Sequence, residues 1–260
     1  RSLHVTGVQT CALPICSFAL QIFAAREAVF KILAKESLSI HEKLIAILDM
    51  GSKIQQCINT DEYDNIKSVV NDYLKEGIAH TLDETRNLSD SGQFEDISLQ
   101  QGIRQILYPY EEMEVLNPEW EVILKDIIDS LFEQMSDEEY NILNEEFGTY
   151  MVSRAYEYRQ LLEYLVFRYF AKSIYDYDFL GKCQMLVTNF FVIRQMDIIR
   201  WLDNHREYSF KDRMDVVHIF SRQVEYSEDN IENLYEDFIF DDIFKTDSLI
   251  AILWIDSENI

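Results

Sequence analysis

Glycine and proline are scarce in this chain of 260 residues, which has 7 glycines and 3 prolines, and no proline follows Pro118. Both residue types interrupt helices and mark turns, so their scarcity favours long helices over a fold of short strands. Apolar and polar residues also rarely alternate with the period of two that a half-buried strand shows. Because hydrophobic residues make up 48% of the sequence, the composition predicts a globular, all-α protein.

Positive charge is also in short supply, with 23 Lys and Arg residues against 47 Asp and Glu residues and a net charge of −24. Such a surface repels phosphate backbones and anionic lipid headgroups. We therefore expect neither nucleic acid nor a membrane surface as a partner. The negative electrostatic potential of this surface would attract a basic protein tail or a lysine side chain, although solubility alone also explains the charge.

The four cysteines, Cys11, Cys16, Cys57 and Cys183, show no CxxC or other ligand spacing. This pattern predicts free thiols in a reducing, cytoplasmic compartment, with neither a disulfide framework nor a metal site in this chain. GxGxxG, Walker A, HExxH and GxSxG motifs are absent from the sequence as well. From the residues alone, the chain is an acidic helical domain without a demonstrable active site.

The segment Val5–Ile15 reads VTGVQTCALPI and resembles the translation of a sequencing-library adapter. We therefore expect residues 1–15 to be an assembly artefact rather than native sequence. A signal peptide is the rival interpretation, but no basic stretch directly precedes the apolar run, and a helical pattern continues through it.

The remaining chain is predicted to consist of N-terminal helices at residues 16–86, a polar loop at 87–98 and a main helical domain at 99–260. Residues 16–260 can also be interpreted as one domain. The loop is rich in Ser, Asp and Gly, which are typical of connecting segments.

Several helix ends are visible in the sequence. Ser39 with Glu42 and Ser136 with Glu139 have the spacing of capping boxes. Asn117 followed by Pro118 is typical of an N-cap and a first helical residue. A helix that begins at Leu99 is predicted to end near residue 107, because Pro109 stops it.

The stretch from Arg159 to Glu225 is the one around which the chain is organised. Its first helix, at about 161–174, is apolar on nearly every side, so we expect it to be the central helix of an irregular multi-helix bundle. In the next helix, Arg194, Asp197 and Arg200 recur every three residues and are predicted to pair along one face.

A third helix is predicted to begin at Ser209, with Asp212 completing its N-terminal cap. On this helix, four polar residues are spaced 3, 4 and 3 apart, so at 100° per residue they form one narrow stripe between apolar flanks. The stripe is either a structural seam, in which one arginine bridges two carboxylates, or the wall of an active site. Its members, the candidate catalytic residues, are Asp215, His218, Arg222 and Glu225.

Three groups of spaced residues carry a family resemblance: the RYF triplet Arg168–Phe170, the IRxxDxxRW segment around Arg194 and Trp201, and the HxxSRxxE segment from His218 to Glu225. Together with the helices near the N-terminus, they resemble the C-terminal helical part of the bacterial flagellin lysine-N-methylase family. The resemblance covers most of residues 19–253.

The resemblance implies a cytoplasmic enzyme that methylates lysine ε-amines of flagellin with S-adenosylmethionine as the donor. It also implies an N-terminal CxxCxxCC cluster that holds iron or zinc, and this sequence lacks that cluster. We therefore expect a fragment of the methyltransferase that is inactive by itself. The alternative is a non-catalytic helical scaffold or protein-interaction domain.

Deleting residues 1–15 is expected to leave the melting temperature unchanged, because a segment that is not native was never selected to pack on the domain. Thermal unfolding of the shortened and the complete chain, followed by circular dichroism, measures the difference. A clear loss of stability in the shortened chain would overturn the artefact interpretation.

Overall fold

The structure is a computed structural model that describes residues 6–90 and 97–258, and the side chains of residues 17–88 and 97–257. Most of the described residues are helical and none of them forms a β-strand, which confirms the all-α class. The α-helices in this part of the chain are α1 Thr6–Leu33, α2 Ile40–Asn59, α3 Ile66–Asp72, α4 Ile78–Asp90, α5 Leu99–Glu111, α6 Pro118–Ile127, α7 Asp137–Met151, α8 Ala155–Tyr169, α9 Ser173–Asp176, α10 Phe179–Asp203, α11 Phe210–Phe220, α12 Glu228–Phe240 and α13 Thr246–Glu258.

Three α-helices are extended by short π-helical segments, in which the backbone hydrogen bonds span five residues instead of four. These segments are Tyr73–Gly77 after α3, Ile128–Glu133 after α6 and Ser221–Glu225 after α11. Among the described residues, no helix combines the length and the apolar content that a bilayer crossing requires.

The predicted helix starts are confirmed by their hydrogen bonds. Ser39, Ser136 and Ser209 each form a complete capping box with the acidic residue three positions later. The side chain of Asn117 accepts a hydrogen bond from the Glu119 amide, with Pro118 as the first residue of α6.

The predicted stop at Pro109 is wrong, because α5 continues through this residue to Glu111. Proline lacks the N–H that would donate to the carbonyl of Gln105, four residues earlier. The helix ends two residues after Pro109, so the missing hydrogen bond falls in the last turn and interrupts nothing beyond it.

The packing divides the chain into two compact units. One contains the described residues up to Asn87 together with Tyr156–Leu186, and the other contains Leu88–Ala155 and the residues from Val187 onward. The segment 156–186, which the sequence placed in the main helical domain, thus packs with the N-terminal helices. Of the predicted polar loop 87–98, residues 87–90 belong to α4 and residues 91–96 lie outside the described residues.

The helix predicted at residues 161–174 is less buried than expected for a central helix, and α10 is the more buried of the two. Phe167 is 69% exposed and Tyr164 is 41% exposed, so α8 is covered on one side only. In α10, by contrast, every residue from Gly181 to Ile199 is buried. Apolar composition on all sides of a helix allows complete burial but does not require it, and the guanidinium of Arg26 lies over the exposed Phe167 ring at 5.2 Å from its centroid.

The polar residues of α10 are buried because other helices supply their partners. The Tyr110 hydroxyl donates to Asn189 Oδ1 at 2.7 Å, and the Tyr140 hydroxyl donates to Gln195 Oε1 at 3.0 Å. Burial raises the pKa of the Tyr140 phenol, so it stays a donor. Buried polar groups require such partners, since an unsatisfied one costs about 1–3 kcal/mol.

The charged residues of α10 also reach other helices rather than one another. Arg194 Nε and Nη2 donate to Asn144 Oδ1 at 3.2 and 3.1 Å. Asp197 forms an ion pair with Arg213 at 2.6 Å and accepts a hydrogen bond from the Tyr208 hydroxyl. The predicted pairing of Arg194, Asp197 and Arg200 along one face is therefore wrong.

Cys183 and Cys57 are free thiols, the first buried and the second partly buried. Burial raises the pKa of the Cys183 thiol well above its usual range. The side chains of Cys11 and Cys16 lie outside the described residues. In the first unit, Cys183 packs on α2 at Gly51, where a Cβ atom would lie 2.6 Å from the sulfur and 3.2 Å from the cysteine Cβ.

We expect Gly51→Ala to lower the free energy of unfolding by about 1–3 kcal/mol, because the new methyl group overlaps the buried Cys183 side chain. Chemical denaturation of the variant measures the loss. In a Cys183→Ala background the same substitution should cost less, since the sulfur is gone. An equal cost in both backgrounds would show that the two side chains do not meet.

Candidate functional site

A cleft of about 530 Å³ opens on the second unit. It combines charged side chains of both signs with three aliphatic residues, which is the mixed lining typical of ligand sites. The lining residues are Asn117, Glu119, Val122, Ile123, Arg200, Asp215, His218, Ile219 and Arg222.

The third predicted helix forms one wall of this cleft. Asp215 and His218 lie on α11, and Arg222 lies on the π-helical segment that follows it. Three of the four residues of the predicted stripe are therefore brought together. The fourth, Glu225, is 6% exposed and does not line the cleft.

The π-helical segment Ser221–Glu225 explains why Glu225 leaves the stripe. The predicted stripe assumed the rotation of an α-helix at every step. A π-helical turn holds more residues, so each residue advances the rotation by less, and Glu225 stops short of the angle at which His218 stands. Such single wide turns are frequent at functional sites, and nothing in the spacing of these residues indicates this one.

The predicted ion pairs of Arg222 with Asp215 and Glu225 are not formed. Across the part of the chain that the structure describes, no hydrogen bond or ion pair joins Arg222, His218 or Arg200 to another side chain. The bridged seam is thus absent, and the side chains of Arg222 and His218 are available to a ligand, whereas the charge of Arg200 also acts on Asp212. Arg222 and His218 are exposed and Arg200 is partly buried.

Contacts with α10 hold α11 in place. Asp197 is fully buried and pairs with Arg213, one turn after the N-terminus of α11. At that N-terminus burial acts against the charge of Asp212, but hydrogen bonds from Ser209 and Asn204 and the positive charge of Arg200 outweigh it and lower the pKa of Asp212. The two helices that supply Arg200 and His218 are therefore tied together by charged groups.

Two buried amides hold the opposite wall. Gln223 Oε1 accepts hydrogen bonds from the backbone amides of Leu116 at 2.9 Å and Asn117 at 3.2 Å, and its Nε2 donates to the Glu114 carbonyl at 2.7 Å. Asn230 donates to the carbonyls of Glu114 at 3.0 Å and Gln223 at 3.1 Å. These contacts fix the residues that lead into α6 against the π-helical segment.

Gln223 and Asn230 are the residues of this site that the sequence did not reveal. Both are completely buried, although glutamine and asparagine are usually exposed. Nothing in their spacing separates them from surface amides, because their partners include backbone groups of Glu114, Leu116 and Asn117, more than 100 positions earlier in the chain. Only the fold brings these groups together.

Within the described residues, no group of three or more His, Cys, Asp or Glu side chains is arranged to hold a metal ion. The cleft contributes only Glu119, Asp215 and His218 of these residue types.

The comparison with known families decides the affiliation of this chain. Residues 26–252 match the family described as the FliB lysine N-methylase C-terminal domain. The chain belongs to this family. The comparisons of this chain with curated proteins and with solved structures gave no match. The FliB match runs through both units and includes every residue that lines the cleft.

The residues that carried the resemblance have different surroundings. Arg168, Tyr169 and Phe170 belong to the first unit, and Trp201 is buried against Phe147 at 5.5 Å between ring centroids. From the HxxSRxxE segment, His218 and Arg222 line the cleft.

We expect Gln223→Leu to lower the free energy of unfolding by about 3 kcal/mol, because two backbone amides and one carbonyl lose their partner. Urea denaturation measures the change. Gln134 is exposed, so Gln134→Leu is a matched control that should change stability by less than about 0.5 kcal/mol. Similar small effects in both variants would show that Gln223 does not hold the wall of the cleft.

Proposed function

We propose that this chain is the helical part of a cytoplasmic protein-lysine N-methyltransferase that transfers methyl groups from S-adenosylmethionine to lysine ε-amines of flagellin. Membership of the FliB lysine N-methylase family supports the reaction class. The observation that carries the proposal is the cleft, in which Asp215, His218 and Arg222 stand together without partners of their own.

The reaction requires a neutral amine, whereas a free lysine is protonated at neutral pH. In the proposed mechanism, the carboxylate of Asp215 attracts the lysine ammonium into the cleft. His218 then accepts one proton from Nζ, because the imidazole nitrogen of a histidine is the most frequent general base in proteins. The lone pair of the amine that remains can form the N–C bond to the methyl group, while the S–C bond of the donor would break and S-adenosylhomocysteine would leave.

The cleft fits the donor in size and lining. Ligand pockets have volumes of about 300–1,000 Å³, and this one has about 530 Å³. Val122, Ile123 and Ile219 would pack against the apolar surface of the adenosyl part. When bound, the donor supplies an electrophilic methyl group beside the lysine Nζ.

The iron or zinc cluster that the resemblance implies does not fit the described residues, which offer no cluster of ligands for it. No step of the proposed mechanism passes through it. Glu225 is buried and away from the lining, so we assign it a positioning role rather than a place among the groups that touch the substrate.

We expect His218→Ala to lower flagellin methylation by the full-length enzyme about 10²-fold or more, because proton transfer would lose its acceptor. The rate of methyl transfer to purified flagellin measures the effect. His218 is exposed, so the melting temperature should not change.

His80→Ala is the matched control, since His80 is an exposed histidine of the other unit, and it should keep full activity. If His218→Ala keeps full activity while its stability falls, the polar stripe is structural and the catalytic assignment is wrong. That result would favour the alternative of a non-catalytic helical scaffold.

A further inference from the structure

Two arginines that form no close ion pair among the described residues line one cleft of a strongly acidic protein. The chain has 47 acidic and 23 basic residues, so carboxylates are abundant around any guanidinium. Arg200 and Arg222 nevertheless form no ion pair within the described residues, although they line the same concave surface. Like charges in one cleft repel each other, and a bound anion would relieve that repulsion.

The acidic residues of the cleft do not neutralise these arginines. Glu119 and Asp215 line the same cleft, yet no ion pair joins either of them to Arg200 or Arg222 in the part of the chain described. The lining therefore holds two positive and two negative side chains that are not paired with one another. Its formal charge is balanced, in contrast to the net charge of −24 of the whole chain.

The α6 end of the cleft adds to its positive side. Asn117 caps this helix and lines the cleft, and the N-terminus of a helix carries a partial positive charge. The Gln223 contacts keep this end at the cleft. An arginine offers two parallel N–H donors to a carboxylate, so it recognises the shape of this group as well as its charge.

We propose that the cleft binds a zwitterionic, amino-acid-like group, with its carboxylate held by Arg200 and Arg222 and its ammonium facing Glu119 and Asp215. This inference rests on the proposed function and names the chemistry that the cleft selects. Two sources carry such a group: the amino-acid end of the methyl donor, or a flagellin segment in which an acidic residue lies beside the target lysine.

Titration calorimetry on the full chain distinguishes these sources. The first arm compares S-adenosylhomocysteine, which has the amino-acid end, with methylthioadenosine, which lacks it. If the donor supplies the zwitterion, Arg222→Gln should weaken S-adenosylhomocysteine binding roughly 10-fold and leave methylthioadenosine binding unchanged. Arg222→Lys keeps the charge but lacks the two parallel N–H donors, so its affinity for S-adenosylhomocysteine should lie between those of the native chain and of Arg222→Gln.

The second arm uses two flagellin peptides that differ only in having Asp or Asn beside the lysine. If the substrate supplies the zwitterion, the native chain should prefer the Asp peptide, and Arg222→Gln should abolish this preference. Lys125→Gln on α6 removes the same charge at an exposed residue outside the cleft. This variant should therefore keep both the affinity for S-adenosylhomocysteine and the preference for the Asp peptide.

A loss of affinity in either arm supports the inference and identifies the source. If the native chain binds none of these probes, or if Arg222→Gln binds all of them as the native chain does, the inference is overturned. Binding is measured without turnover, so the two proposals fail separately. Arg222-dependent binding together with full activity of His218→Ala would remove the catalytic proposal and keep the zwitterion site.

Discussion

The structure of the second unit depends on the burial of α10, in which every residue from Gly181 to Ile199 is buried. This helix carries an arginine, an aspartate and several amides into the interior, and most of their polar atoms find partners on helices that pack on it, although Asn189 Nδ2 has none among the described residues. Arg194 donates to a residue of α7, and Asn189 accepts a hydrogen bond from a residue of α5. Asp197 pairs with Arg213 of α11 and accepts a hydrogen bond from Tyr208, which lies just before α11. Apolar contacts alone would let these neighbours slide or turn, whereas directional hydrogen bonds set their register. The buried polar groups thus decide where α11 lies, and with it one wall of the cleft.

The wide turn at Ser221–Glu225 connects this framework to the site. It presents Arg222 to the cleft and turns Gln223 inward, where the amide holds the chain that leads into α6. One short segment therefore supplies both a residue of the lining and the support of the opposite wall. The site is built on helices with buried supporting contacts, which is the arrangement that keeps binding groups in place.

The sequence predicted well whatever depends on neighbouring residues. The all-α class followed from the scarcity of glycine and proline, and the caps at Ser39, Ser136 and Ser209 followed from local spacing. The predictions were wrong where residues distant in the sequence determine the exposure or the partner of a side chain. Phe167 is exposed within an apolar run, and Asp197 finds its partner on another helix. Within the site, the positions of Asp215, His218 and Arg222 on one face were predictable from the 3.6-residue period, but the departure of Glu225 required knowledge of the wide turn.

The wide turn also accommodates one residue more than an α-helical turn does. Five residues at the smaller rotation of a π-helical turn cover about the same angle as four residues of an α-helix. Loss of a single residue between 221 and 225 would therefore let α11 continue as ordinary α-helix and leave the chain that enters α12 at nearly the same angle. The loss would fall on the turn itself, which supplies both Arg222 and Gln223. The additional residue thus allows a single turn to face the cleft and the interior at once.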